Sequence, residues 1–176
     1  MERTLVLVKP DGVRKKVIGA VIDRFEKKGM RIVALKMLVP TKRLAMRHYV
    51  LEKAWYEGMW RNANATYKKN GRLLTERPVE MGRRVRNALI KDLTAGPVVA
   101  IVVEGVDAVS KVRKECGSTE PASAEPRSIR GMYSKDSYKD ADRQKRAIRN
   151  IVHASDAAKT ADREISVWFT KKELAG

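Results

Sequence analysis

The chemistry in this chain is concentrated in one short stretch, Asn150-Ile151-Val152-His153-Ala154-Ser155-Asp156, with Glu164 a little further on. The chain has two histidines, and His153 sits between an apolar run and a helix-start signal. An imidazole of ordinary pKa, about 6.5, keeps one nitrogen unprotonated near neutral pH. A carboxylate on one ring nitrogen would fix the tautomer and expose the lone pair of the other, as an attacking imidazole requires. Glu164 and the Ser155 hydroxyl are the groups within plausible reach. The competing reading is a core histidine bonded to a helix cap, with Ser155 an ordinary N-cap. His48 has no partner pattern and reads as a surface residue.

No Gly-x-x-x-x-Gly-Lys-Ser/Thr loop occurs, so any phosphate must be held by side chains. Lys9, Arg113, Thr119 and Arg130 are candidates, because each falls at the end of an expected strand or helix. For any one of these cations the alternative is a solvated surface charge. The chain holds 38 Lys/Arg against 21 Asp/Glu, a net charge of +17. Such a field attracts polyanions, without choosing among nucleoside triphosphates, nucleic acid and anionic membrane surfaces. Residues 61–91 alone carry nine Lys/Arg against two Glu.

These side chains need a scaffold, and the apolar pattern supplies one. Arg3–Val8 reads as a strand ended by a Lys9-Pro10-Asp11-Gly12 turn. Ile18, Val21, Ile22 and Phe25 mark a helix face closed by Gly29. Ile32–Val39 is a second strand, and Thr41 caps a helix to about Leu51. Residues 56–77 show no clear period around the turn signal Asn70-Gly71. Met81, Val85, Leu89 and Leu93 extend a helix from Pro78 to about Thr94. Val98–Val103 is apolar throughout, as in a central strand. A helix then runs to about Gly117, followed by a loop over 117–130 and a polar, solvent-facing segment over 132–147. Ile148–His153 is a short strand, Ser155 or Asp156 caps a helix over Ala157–Arg163, and Ile165, Val167 and Phe169 alternate as a final extended segment. The order suggests a ferredoxin-like α+β sandwich, βαββαβ, with helices over one face of a small antiparallel sheet.

A single cysteine, Cys116, excludes an internal disulfide and a cysteine-based zinc site. No run is long enough to span a membrane and no signal-peptide pattern opens the chain, so a cytoplasmic protein with no membrane partner is expected.

Taken together, RTLVLVKPDGV (residues 3–13), Thr119–Pro121 with Ile129-Arg130-Gly131, NIVHASD (150–156) and EISVWF (164–169) resemble nucleoside diphosphate kinases, over most of 1–55 and 97–170. The resemblance implies one domain over 1–176, with a helical insertion at about 56–95 and a polar one at about 132–147. It implies ping-pong transfer of a γ-phosphoryl group through a phosphohistidine on His153. Glu164 would hold the ring, Ser155 would support the site, and Lys9 would reach the terminal phosphate and the sugar. Arg113, Thr119 and Arg130 would bind phosphates, Asn150 the sugar hydroxyl, and Tyr49 would pack near the histidine. Mg²⁺ would bridge the β- and γ-phosphate oxygens, held by nucleotide and water rather than by a protein metal site. Partners implied are nucleoside di- and triphosphates and further copies of the chain, a hexamer by family habit. A non-specific nucleic-acid affinity through residues 61–91 is the remaining expectation from charge.

The chain departs from the family pattern in places. The base-stacking aromatic is not evident, with Trp55, Tyr56 and Trp60 as candidates. Ala147 stands where a larger apolar residue usually covers the other face of the base. Pro126-Arg127-Ser128 replaces Pro-Gly-Thr, Met132 replaces the aspartate of Arg-Gly-Asp, and the tail after Phe169 is short.

Overall fold

The computed structural model describes residues 1–69, 71 and 73–175; Asn70, half of the expected Asn-Gly turn, lies outside them. Strands β1 (Glu2–Val8), β2 (Arg31–Leu38), β3 (Val98–Gly105) and β4 (Val152–Ala154) form one antiparallel sheet in the order β2-β3-β1-β4. That is the ferredoxin-like arrangement expected. Between and after the strands run α1 (Pro10–Arg14), α2 (Ile18–Glu26), α3 (Lys42–His48), α4 (Lys53–Lys69), α5 (Pro78–Leu93), α6 (Ala108–Cys116), α7 (Ile129–Tyr133), α8 (Tyr138–Arg143) and α9 (Ala158–Trp168).

Helices cover both faces of the sheet, not one. Side chains alternate along β1, so Val6 and Val8 join Val21, Phe25, Val112 and Ile129 on one side. Leu5 and Leu7 join Ala45, Ile90, Leu93, Ile165 and Trp168 on the other. Every residue of β3 is buried, which explains its unbroken apolar run. Each large side chain so buried stabilises the fold by roughly 1.5–3 kcal/mol.

Other expectations shift in ways that affect the site. Pro10 opens a short helix rather than a turn, its missing N–H being harmless at the first helical position. Thr41 caps α3 as expected, accepting from the Leu44 amide, but the helix ends at His48. Residues 53–69 form one helix, α4, none of whose residues is buried; this weak burial is why no apolar period was visible. Segment 132–147 is not simply solvent-facing. The Asp136 carboxylate accepts from both Arg146 terminal nitrogens and from the Arg149 amide, and Ala141 and Ala147 are buried. The strand expected from Ile148 begins only at Val152. The largest correction concerns residues 158–168, which are one helix to Trp168, so Ile165–Val167 is not extended. Ala161, Glu164, Ile165 and Trp168 are its buried residues, a spacing of three, four and seven.

Among the described residues, no helix is long and apolar enough to cross a membrane.

Candidate active site

Two neighbouring elements assemble the centre. His153 lies on β4, paired with Leu7 of β1. Glu164 projects from α9, whose apolar residues Ile165 and Trp168 pack among those on the Leu5–Leu7 side of the sheet. The Glu164 Oε2 atom lies 2.9 Å from His153 Nε2 and accepts the Ser155 hydroxyl at 2.7 Å. Burial alone would raise the Glu164 pKa. The charge and hydrogen bond of His153, the His48 ring and the Ser155 hydroxyl outweigh it and bring the pKa to about 2. An ionised carboxylate only accepts, so the proton on His153 belongs on Nε2 and the lone pair on Nδ1. Nδ1 makes no hydrogen bond among the described residues, and the side chain is 24% exposed. Ser155 is fully buried behind Glu164 and is not the cap of α9, whose N-cap is Ala157.

Next to this pair stands a group the sequence reading placed on the surface. His48 is buried, and the Trp168 indole N–H donates to its Nδ1 at 3.3 Å. Burial first, and the nearby His153 second, lower its pKa to about 3, so it is neutral at physiological pH. The Tyr49 ring stands 6.4 Å from that of His153 and 4.6 Å from that of His48. His48 lies three residues after the buried Ala45 on the inner face of α3, but only the contact with Trp168 marks the ring as an interior one.

A cleft of about 540 Å³ opens in front of His153. Lys9, Tyr49, Arg113, Thr119, Arg130, Asn150, His153 and Glu164 all line it, so Ser155 is the one expected site residue outside its wall. The Lys9 ammonium is held by the Ile148 carbonyl at 3.0 Å, Asn150 Oδ1 at 3.2 Å and Asp92 at 3.1 Å. Asn150 in turn donates to the Thr119 carbonyl at 2.8 Å. Arg130 rides on α7, which Ser128 caps by accepting from the Gly131 amide. Its terminal nitrogens donate to the Gly117 carbonyl at 2.6 Å and the Val152 carbonyl at 2.9 Å. Its Nε is buried without a partner among the described residues. Burial, with the charge of Arg113 adding to it, disfavours its cation. Arg113 is exposed and forms no hydrogen bond or ion pair among the described residues. A cleft with a free imidazole nitrogen and under-used cationic donors is built for an anion that an imidazole can attack.

Residues 2–65 and 78–174 match the family model described as nucleoside diphosphate kinase. A nucleoside diphosphate kinase from Pyrobaculum aerophilum is 40% identical over 179 residues, covering 99% of this chain and 98% of that relative. This chain belongs to the nucleoside diphosphate kinase family. The crystal structure of an NDP kinase from P. aerophilum superposes with a TM-score of 0.93 at 39% identity, over 99% of both chains. A nucleoside-diphosphate kinase from Borrelia burgdorferi, solved as a transition-state mimic with vanadate and ADP, gives 0.81 at 38%, over 99% of this chain and 90% of that one. The chain is accordingly a nucleotide-binding phosphotransferase.

The lining of the cleft sorts the aromatic candidates of this family member. Trp55 lines it, with Val50 and Leu89. Trp60 is occupied elsewhere, donating its indole N–H to the Glu76 carbonyl at 2.6 Å. Tyr56 abuts Gly82, where an added Cβ would come within 2.5 Å of the tyrosine Cβ. Ile148, rather than Ala147, contributes apolar surface to the cleft. Asp92, which anchors Lys9, was not legible beforehand: nothing in its neighbours Lys91 and Leu93 marks it.

Proposed function

We propose that the chain transfers the γ-phosphoryl group of a nucleoside triphosphate to a nucleoside diphosphate in two steps, through His153. Nδ1 of His153 attacks the terminal phosphorus in line, the bond to the bridging oxygen breaks, and the nucleoside diphosphate leaves. Glu164 stabilises the cationic ring that forms and keeps its Nε2 proton in place. Arg113 and Arg130, with Thr119, face the charge on the transferring and adjacent phosphates. Lys9, once released from one of its acceptors, reaches the terminal phosphate, and Asn150 the sugar hydroxyls. A second diphosphate then takes the group by the reverse path. The observation that carries this reading is the His153 ring itself, with Nε2 engaged by Glu164 and Nδ1 unbonded at the cleft. The Borrelia relative, with vanadate and ADP bound, supports the same division between a transferring group and a departing diphosphate.

Mg²⁺ fits as part of the nucleotide, not as a resident ion. The acidic side chains lining the cleft are Glu52, Asp156 and Glu164, and Glu164 is taken by His153 and Ser155. Among the described residues, the one metal-ligating cluster, His48, His153 and Glu164, is imidazole-rich, unlike the all-oxygen shell Mg²⁺ prefers. Carried in on the phosphates, the ion would neutralise charge on their oxygens. Initial-rate kinetics test the scheme: varied triphosphate and diphosphate should give parallel double-reciprocal lines, and intersecting lines would reject a covalent two-step path.

The chain is also proposed to self-associate through the β2 edge. Leu35, Met37 and Val39 are exposed there, an apolar edge that natural sheets rarely leave open. Light scattering should find an oligomer that Met37→Lys weakens; a wild-type monomer would reject this.

A further inference from the structure

We propose that Asp11 is a positioning residue whose carboxylate clamps a strained turn at Ile151, and that this turn brings Asn150 and His153 to the same cleft. The kinetic consequence rests on the phosphotransfer reading above; the clamp itself does not.

Ile151 has φ of +71°, the left-handed region that a β-branched residue avoids. The Val152 amide donates to the Asn150 carbonyl at 2.7 Å, closing a three-residue γ-turn of the rare, positive-φ kind. The geometry has a use. In a continuous strand, residues three apart point to opposite faces. Here Asn150 and His153 both line the cleft, because the chain turns between them before joining β1.

Strain of this kind persists only where the surroundings over-determine it. The Ile151 amide donates to Asp11 Oδ2 at 2.9 Å, and the Ile151 carbonyl accepts from the Lys9 amide at 2.8 Å. Both partners flank Pro10, where β1 gives way to α1, so one rigid corner holds both sides of the strained residue. Gly12 lets that corner close: an added Cβ would stand 2.9 Å from the Ile151 carbonyl oxygen. Asp11 is itself buried, and its Oδ1 has no partner among the described residues. A carboxylate kept so poorly satisfied in the interior is costly. Its contact with Ile151 is what it provides in return. Without the clamp, residue 151 relaxes to negative φ, and Asn150 leaves Lys9 and Thr119.

The test compares wild type, Asp11→Asn and Asp11→Ala, by steady-state kinetics and by amide hydrogen exchange at Ile151. An asparagine Oδ1 still accepts the Ile151 N–H, so that variant separates the hydrogen bond from the charge. Asp11→Ala should lose about 10²-fold in kcat, the usual effect of an ångström-scale misplacement, with KM raised as well because Asn150 leaves the cleft. Asp11→Asn should stay within about threefold of wild type in kcat. The Ile151 amide should exchange at least about tenfold faster in the alanine variant and at the wild-type rate in the asparagine variant. Wild-type kcat in Asp11→Ala overturns the proposal, as does an equal loss in both variants. Should Asp11→Ala not fold, the other two proteins decide: a 10²-fold loss in Asp11→Asn, or a fully unprotected Ile151 amide in wild type, overturns it. A wild-type protein that transfers no phosphoryl group would sink the functional reading while the exchange data still judged the clamp.

Discussion

The rings of His48 and His153 meet edge to face, with centroids 4.5 Å apart and planes at 87°. Because His48 accepts the Trp168 N–H on Nδ1, its own proton sits on Nε2 and it presents a neutral wall to His153. A charged ring in that place would oppose any positive charge gained by His153. The neutral wall limits the tumbling of the reacting ring and leaves its Nδ1 free.

Acid stability should report this neutrality. The His48 pKa is about 3 in the fold and about 6.5 in the unfolded chain, which therefore takes up a proton first as pH falls. Its contribution is complete above about pH 6.5 and is lost toward pH 3. Glu164 acts in a lower window: its pKa of about 2 lies below the ordinary 4.5, so its contribution fades between those values. Thermal scans of wild type should show the melting temperature falling from about pH 6.5. His48→Phe keeps a ring but leaves the Trp168 N–H unpaired, costing about 1–3 kcal/mol at every pH. It should delay the onset to about pH 4.5; an unchanged onset would contradict the assignment.

Arg113 and Arg130 should separate binding from stability. Arg113→Ala removes an exposed cation without a partner among the described residues, so stability should move by less than about 0.5 kcal/mol. The KM for nucleotide should rise about tenfold. Arg130→Ala instead strands the Gly117 and Val152 carbonyls, at about 1–3 kcal/mol for each left buried. It should lower both the melting temperature and kcat/KM. Equal thermal losses in the two variants, read by calorimetry, would count against this division.

What could be read in advance followed how each feature is encoded. Strands β1 to β3 and helices α2 and α5 carry strong apolar periods, and packing simply obeys them. His153, Glu164, Lys9 and Asn150 lie in stretches that tie residue type to geometry, and the fold brings them to one cleft. Features set by tertiary contact were hidden. His48 looked like a polar residue on an amphipathic helix until Trp168 supplied its partner. Ile165–Phe169 alternated like a strand, yet burial of Ala161, Ile165 and Trp168 at helical spacing prevailed. The left-handed turn at Ile151 could not be foreseen, since nothing in an isoleucine announces positive φ.

Trp55 and Trp60 should behave differently although they lie on the same helix. Trp55 offers its ring to the cleft, and an aromatic face stacks on any base. Trp55→Ala should raise KM by up to about tenfold for purine and pyrimidine nucleotides alike, since stacking of this kind is worth roughly 0.5–1.5 kcal/mol. Trp60→Ala should leave KM alone and lower the melting temperature, because its N–H ties α4 to the Glu76 carbonyl. A KM effect confined to Trp60→Ala would reverse the assignment.

Incubation with γ-labelled ATP and Mg²⁺, followed by an alkaline quench in which phosphohistidine survives, tests the central claim most directly. Label should appear on His153 of the wild-type protein, leave when a second nucleoside diphosphate is added, and be absent from His153→Ala. Equal labelling of that variant, or label that no acceptor diphosphate removes, would contradict the role assigned to this imidazole.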